Sequence, residues 1–225
     1  MTLIICAIKA EVKPFLKVLE NGRGEKCAAG MVYIGTVKDA PVIVVRCGVG
    51  LKRAVTVTQM ILENYPIKRV IFSGVAGGAD RILKIGDTVV SDEILFHETD
   101  VNLLNNIGVS DNCSYKAGDK MLSQIKEAVD NNQLNHKVYF GRITSGNKFV
   151  TGKNFKVIFD KFRPLCLDME TAAVAHVCSK KNIPFIAVRS ISDTVEKSGL
   201  LTFFKNVTLA SENSFSVANV LLSME

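Results

Sequence analysis

The sequence has no tryptophan and only three histidines among its 225 residues. His97, His136 and His176 are far apart and form no His-x-x-His or Glu-x-x-His spacing, so we predict no metal site. The sequence also lacks a P-loop, a Gly-x-Gly-x-x-Gly fingerprint and a Gly-x-Ser-x-Gly elbow. These absences argue against a nucleoside triphosphate site, a dinucleotide cofactor and a serine triad.

No apolar run is long enough to cross a bilayer, so no membrane partner is predicted. The 28 lysines and arginines outnumber the 22 acidic residues and give a net charge of +6. The basic residues are scattered, however, and form no basic run. Proteins that bind nucleic acid usually carry a clustered basic face, so a nucleic-acid partner is not expected either. The six cysteines contain no Cys-x-x-Cys pair, which is typical of buried free thiols in the reducing cytosol.

Apolar segments of strand type alternate with segments of helical spacing along the chain. Leu3 to Ile8, Arg69 to Ser73 and Pro184 to Ser190 read as buried strands, and Gly74 to Gly78 reads as a turn of small residues. The stretch from Phe96 to Lys116 is the least regular and is predicted to be a loop. The pattern predicts an α/β protein with a mostly parallel sheet between helical layers, as one domain over 1–225.

Acidic side chains follow three of the predicted strands. Glu11 comes after the first strand, Glu170 begins the helix after Leu165 to Asp168, and Asp193 lies just beyond the strand Pro184 to Ser190. Strand ends in open α/β sheets converge on one crevice, and carboxylates buried there are costly unless they bind or react. A purely structural role is equally consistent with these positions. A carboxylate such as Glu170 is favourable at a helix N-terminus, and Asp193 could cap the turn that follows it.

Seven short segments occur in one order along the chain: Ala7–Glu11, Cys47–Gly50, Ser73–Gly78, Leu83–Asp87, Ser145–Val150, Asp168–Glu170 and Ser192–Asp193. In that order and spacing they resemble the nucleoside phosphorylase superfamily, and most closely its 5′-methylthioadenosine/S-adenosylhomocysteine nucleosidase branch. The most specific part is Met-Glu followed by Ile-Ser-Asp. The resemblance implies a three-layer α/β/α sandwich around a mixed, largely parallel sheet. It also implies a homodimer that cleaves a purine nucleoside to adenine and a thioribose without cofactor or metal.

The resemblance assigns roles to individual residues. Asp193 would protonate adenine N7, Glu11 would activate the attacking water, and Glu170 would hold the ribose hydroxyls. The remaining residues would bind the substrate: Gly77, Phe149, Val150, Met169, Arg189 and Ser192 around the base, ribose and water; Ile8, Val49 and Phe203 in an apolar 5′ pocket; and Val101 and Leu104 from the neighbouring subunit.

Phosphorylases of this superfamily carry an arginine just before the glycine segment, where this chain has Phe72 and Ser73, so water is the expected nucleophile. The chain also departs from the nucleosidase pattern at three places. Val75 replaces a serine, Asn147-Lys148 replaces an aspartate, and Asp168 replaces a glutamate. The alternatives are a nucleosidase for another 5′-modified purine nucleoside such as aminodeoxyfutalosine, a phosphorylase, and a non-catalytic nucleoside-binding or storage protein.

Overall fold

The computed structural model describes residues 1–28, 30–109, 113–131, 133–150, 152–194 and 199–223. Ten strands occur there: β1 Thr2–Cys6, β2 Glu20–Cys27, β3 Gly30–Val37, β4 Ala40–Arg46, β5 Arg69–Gly78, β6 Thr88–Phe96, β7 Ser114–Lys116, β8 Val138–Ser145, β9 Cys166–Asp168 and β10 Phe185–Thr194. Seven helices accompany them: α1 Lys9–Val18, α2 Leu51–Asn64, α3 Val101–Asn106, α4 Asp119–Asp130, α5 Gly152–Phe162, α6 Thr171–Lys180 and α7 Leu200–Leu222. No helix in these ranges is long and apolar enough to cross a membrane.

All ten strands belong to one mixed sheet. Its path runs β10-β6-β8-β9-β5-β1-β4-β3-β2, with β7 beside β6. An additional parallel pairing of β10 with β5 closes β5, β9, β8, β6 and β10 into a ring, while β4, β3 and β2 extend from β1 as an open edge. Five of the pairings are parallel, and they include both neighbours of β1. The other five are antiparallel.

Helices cover both faces of the sheet because the central strands are apolar on both sides. In β1, Leu3 and Ile5 face a core that also contains residues of α2 and α6. Ile4 and Cys6 face the opposite core, with residues of α1, α4 and α7. The predicted α/β sandwich around a mixed sheet is confirmed.

The predicted turn at Gly74 to Gly78 is wrong, because β5 continues through these glycines to Gly78. The strand continues since β9 pairs with Gly77 and Gly78 on one side and β10 on the other. The small residues serve close packing instead. A Cβ atom on Gly74 would lie 2.3 Å from Oε1 of Glu11 and 2.5 Å from Nη1 of Arg189. The glycine therefore leaves the space that these two side chains occupy.

Strand β10 also runs further than predicted, to Thr194 rather than Ser190. Its register against β5 shifts between Ile191 and Asp193. Ser192 and Asp193 consequently lie inside an irregular strand end and are both buried. A β-bulge of this kind re-aims side chains and is frequent beside active sites.

Two further elements differ from the sequence prediction. The segment of β2 was not predicted, because it is polar and exposed and shows no alternation of apolar and polar residues. The predicted loop from Phe96 to Lys116 contains the short helix α3 and strand β7. Residues 110–112 of that loop lie outside the described residues.

Candidate active site

The three predicted carboxylates meet at one cavity of about 220 Å³ at the ends of β1, β9 and β10. Glu11 reaches it from the first turn of α1, Glu170 from the residue that precedes α6, and Asp193 from the end of β10. A fourth carboxylate, that of Asp168, lines the same cavity. All four side chains are buried, so their partners determine what they can do.

Arg189 is the cation around which this cluster is built. Its side chain is 1% exposed, with Nε 2.9 Å from Oδ2 of Asp168 and Nη2 3.4 Å from Oε2 of Glu170. The guanidinium carbon lies 4.4 Å from the centroid of the Phe72 ring. Burial lowers the pKa of Arg189, but Asp168, Glu11 and Glu170 outweigh this effect and raise it. Arg189 therefore remains charged in the interior.

Backbone amides hold Glu11 in place. Its Oε2 accepts hydrogen bonds from the amides of Ala7 at 2.7 Å and Ile8 at 2.9 Å, and its Oε1 accepts one from Val75 at 2.8 Å. Burial raises the pKa of Glu11, and Arg189 together with these amides lowers it in part. An ionised carboxylate offers about four acceptor positions. One position on Oε1 is therefore left for a ligand in the cavity.

Glu170 has a similar arrangement on the other side of Arg189. Its Oε1 accepts a hydrogen bond of 2.8 Å from the amide of Gly50, and its Oε2 accepts the 3.4 Å contact from Arg189. Each oxygen keeps one further acceptor position. Burial, followed by the neighbouring Asp168 carboxylate, raises the pKa of Glu170 to about 8. Burial therefore favours the protonated form of this side chain.

Asp168 binds within the protein rather than leaving acceptor positions open. Its Oδ1 accepts a hydrogen bond of 2.5 Å from Oγ of Ser145 and longer ones from the amides of Glu170 and Thr171. Its Oδ2 accepts one from the Thr171 hydroxyl and faces Arg189. Asp168 therefore positions Arg189 and the start of α6. The sequence signal for Asp168 is an acid at the end of an apolar strand, but the family resemblance assigns no site role to this residue.

Asp193 is 5% exposed and lies beside Gly77, whose Cβ position would be 3.6 Å from Oδ2. Its Oδ1 accepts a hydrogen bond of 2.8 Å from the hydroxyl of Ser192. Burial raises the pKa of Asp193, and the bond from Ser192 offsets this in part. No cation pairs with it in the described structure, so no ion pair opposes protonation of this carboxyl.

The cavity brings together twelve of the fourteen predicted site residues. Besides Glu11, Glu170 and Asp193, its lining includes Ile8, Val49, Gly77, Phe149, Val150, Met169, Arg189, Ser192 and Phe203. Val101 and Leu104 do not line it. Val101 is 55% exposed, while Leu104 is 7% exposed and borders a second cavity of about 260 Å³. Their contribution to a neighbouring subunit stays a prediction.

Within the described ranges, no group of three or more His, Cys, Asp or Glu residues is arranged to hold a metal ion. The histidines are instead within hydrogen-bond distance of hydroxyl groups. His97 lies 3.1 Å from Thr144, His136 lies 2.8 Å from Thr88, and His176 lies 2.8 Å from Tyr115.

Comparison with known proteins places the chain in a family. The phosphorylase superfamily matches the chain over residues 2–223. A structure of a candidate 5′-methylthioadenosine/S-adenosylhomocysteine nucleosidase from Borrelia burgdorferi B31, bound to adenine, is 33% identical with a TM-score of 0.89, covering 99% of this chain and 98% of its own. The corresponding nucleosidase of Colwellia psychrerythraea 34H, also with adenine, is 26% identical with a TM-score of 0.88, covering 98% and 93%.

A futalosine hydrolase of Helicobacter pylori has the same fold, with a TM-score of 0.90, 22% identity and coverage of 100% of this chain and 97% of its own. The resemblance predicted from the seven segments is confirmed by the family match and by these structures. The chain belongs to the phosphorylase superfamily, in its 5′-methylthioadenosine/S-adenosylhomocysteine nucleosidase branch.

Proposed function

We propose that this protein hydrolyses the N-glycosidic bond of 5′-methylthioadenosine and S-adenosylhomocysteine, releasing adenine and a thioribose. The observation that carries the proposal is the cluster of Glu11, Glu170 and Asp193 around one cavity, each with acceptor or proton-donor capacity not used within the protein. The chain's membership of the nucleosidase branch supports the same reaction.

Asp193 is the proposed general acid. Adenine is a poor leaving group as an anion, and a proton on N7 lets it depart neutral with the electron pair of the C1′–N9 bond. Burial raises the pKa of Asp193, which favours the protonated form that this step needs. The hydroxyl of Ser192 fixes the other carboxyl oxygen, so the proton is directed into the cavity.

Glu11 is the proposed general base. A water molecule on the free acceptor position of Oε1 gives its proton to Glu11 while its oxygen forms the new bond to C1′. Burial raises the pKa of Glu11, and a base with a pKa nearer to neutrality accepts a proton more readily. Nη1 of Arg189 is buried and has no hydrogen-bond partner among the described residues, so its N–H groups are available to orient that water.

Glu170 is the proposed ribose ligand. The acceptor position left on each of its oxygens suits two neighbouring hydroxyl groups. Positive charge develops on the ribose as the glycosidic bond breaks, and an adjacent carboxylate stabilises it. The same charge favours the ionised form of Glu170 and so counteracts the effect of burial on its pKa.

The charges around the cavity support water rather than phosphate as nucleophile. The cations among its lining residues are Arg189 and Lys148. Arg189 is already surrounded by three carboxylates, so a phosphate dianion would meet net negative charge there. Lys148 belongs to the loop that carries Phe149.

The proposal also specifies the 5′ group of the substrate. Ile8, Val49 and Phe203 provide an apolar lining that suits an alkylthio group and offers little to a free 5′-hydroxyl. A related 5′-modified nucleoside is the second candidate, because the futalosine hydrolase of Helicobacter pylori shares the fold.

We also propose a cytoplasmic homodimer. The six cysteines are all free, and four of them are buried, which suits a reducing compartment. Val101 on α3 and Leu201 on α7 are 55% and 88% exposed, and a second copy of the chain would cover such apolar side chains.

A substrate panel tests the 5′ preference. We expect kcat/KM for adenine release to be highest with methylthioadenosine and S-adenosylhomocysteine, lower with aminodeoxyfutalosine and lowest with adenosine. Phe203→Ala should lower kcat/KM for methylthioadenosine by on the order of tenfold and leave adenosine nearly unaffected. The highest kcat/KM with aminodeoxyfutalosine would instead establish a nucleosidase for that 5′-modified nucleoside. Adenine binding without any turnover would indicate a non-catalytic relative.

A further inference from the structure

We propose that Asn147 is a positioning residue that fastens the loop carrying Phe149 and Val150 to the start of α2, and so keeps the Gly50 amide on Glu170. The inference rests on the proposed function, because it assigns Phe149 and Val150 to the base and Glu170 to the ribose. The roles of these three groups would then depend on one hydrogen-bonded connection.

The first half of the connection is the contact between Asn147 and α2. The residue before this helix is Gly50, so no side chain of its own caps the helix. Oδ1 of Asn147 instead accepts a hydrogen bond of 3.3 Å from the amide of Leu51, the first residue of α2. An asparagine oxygen is among the preferred acceptors at a helix N-terminus, and here it comes from a segment far away in sequence.

The second half anchors the loop to the end of β6. The amide of Asn147 donates a hydrogen bond of 2.7 Å to Oε2 of Glu98. Oε1 of Glu98 accepts two more, from Thr99 at 2.8 Å and Asp100 at 3.0 Å. Partial burial raises the pKa of Glu98, but these three amides outweigh it and lower the pKa overall. Glu98 is therefore an ionised and fixed acceptor for the loop.

The connection continues from α2 to the ribose carboxylate. Gly50 adopts a φ of 103°, which favours glycine, and this conformation turns its amide towards Glu170 at 2.8 Å. Leu51, held by Asn147, is the next residue. A shift of the α2 N-terminus would therefore move the Gly50 amide away from Glu170. The same Asn147 precedes Lys148, Phe149 and Val150, which line the cavity.

Asn147→Ala removes the acceptor for Leu51 and keeps the exposed backbone bond to Glu98. We expect KM for methylthioadenosine to rise by on the order of tenfold and kcat to fall by a few fold. The loop that carries Phe149 and the carboxylate of Glu170 would both be held less firmly. Asn147→Asp retains an oxygen in the same place and should restore both constants to within about threefold of wild type. Asn64→Ala, at an exposed position of the same helix, is the matched control.

Hydrogen exchange gives a readout that does not depend on turnover. Asn147→Ala should speed exchange of the amides at residues 50 and 51 by on the order of tenfold, whereas Asn147→Asp and Asn64→Ala should leave it unchanged. Unchanged exchange together with unchanged KM and kcat in Asn147→Ala would overturn the inference. If the wild type cleaves no nucleoside, the proposed function fails. In that case, amide exchange at residues 50 and 51 and the affinity for adenine, compared between wild type and the same variants, still test the positioning role of Asn147.

Discussion

One buried arginine offsets part of the negative charge of the site. Arg189 is fully buried and faces the carboxylates of Asp168, Glu170 and Glu11, while Asp193 lies outside this ion-pair network. Burial raises the pKa values of Glu11, Glu170 and Asp193, and their different partners offset this effect to different degrees. The three acids with raised pKa values are the ones that the proposed reaction uses to donate a proton, accept a proton and hold ribose.

Asp193→Asn tests the general acid. The amide keeps the size of the side chain but cannot deliver a proton to N7, so kcat for methylthioadenosine should fall by about 10²–10⁴-fold. The affinity for adenine, measured by calorimetry, should change by less than about fivefold, since the shape of the cavity is retained. Asp92→Asn, at an exposed position of β6, is the control. Near-normal turnover in Asp193→Asn would contradict this role, and Glu11→Gln tests the base in the same way.

The raised pKa of Glu170 predicts how stability depends on pH. Folding favours the protonated side chain, because its pKa rises from 4.5 to about 8. Its stabilising contribution is complete below the unfolded pKa and is lost as the pH rises through about 8. Glu11 and Asp193 act in the same direction.

We therefore expect the Tm of the ligand-free protein to fall between pH 5 and pH 9. Glu170→Gln cannot ionise, so its Tm should decline less steeply over that range. Thermal unfolding at constant ionic strength measures both curves. Parallel curves for wild type and variant would show that Glu170 does not carry the predicted proton.

Within single elements, β5 shows how the site depends on the absence of a side chain. Gly74 lies beside Glu11 and Arg189, whose side-chain atoms occupy the space that a Cβ atom at this position would need. Gly77, three residues later, faces Asp193 at an ordinary contact distance of 3.6 Å from its Cβ position. The two glycines therefore differ in how much a methyl group would disturb.

Gly74→Ala should displace Glu11 and Arg189, both of which are buried and held by several partners. We expect a destabilisation of about 1–3 kcal/mol from overpacking and a loss of kcat of at least about 10²-fold. Gly77→Ala serves as the matched control for stability and should change the Tm much less. Equal Tm values for Gly74→Ala and the wild type would contradict the packing that we describe.

The sequence predicted the acids but not their arrangement. Glu11, Glu170 and Asp193 could be found because each follows an apolar strand, and the seven family segments assigned their roles. The contact of Gly74 with residues 11 and 189 depends on three segments that come together only in the folded sheet. The run of small residues therefore predicts a turn where the folded chain has a strand. Strand β2 was not predicted because an exposed edge strand needs no apolar pattern.

On the scale of the whole molecule, the site lies where the two parts of the sheet join. Strand β5 pairs with β1 of the open part and with β9 and β10 of the closed ring. Glu11 follows β1, whereas Asp193 and Arg189 belong to β10. We infer that 1–225 fold as a single domain, because separation of these parts would dismantle the site.

The proposed homodimer can be tested by its mass in solution and by a substitution at the proposed interface. The chain has a mass of 24.6 kDa, so light scattering should give about twice that value in solution. Val101→Glu places a charge on an exposed apolar position of α3 and should shift the protein towards the monomer and raise KM for methylthioadenosine. Asn105→Glu, on the same helix, is the charge control. A monomeric wild type with full activity would contradict the proposal.

The most direct test of the central claim is adenine release from methylthioadenosine by the purified protein, followed by ultraviolet absorbance with and without inorganic phosphate. We expect release at the same rate in both conditions, with thioribose rather than its 1-phosphate as the second product. Release that requires phosphate would show that the cavity supports phosphorolysis. No release, even though adenine binds, would show that the carboxylate cluster does not perform the proposed chemistry on this substrate.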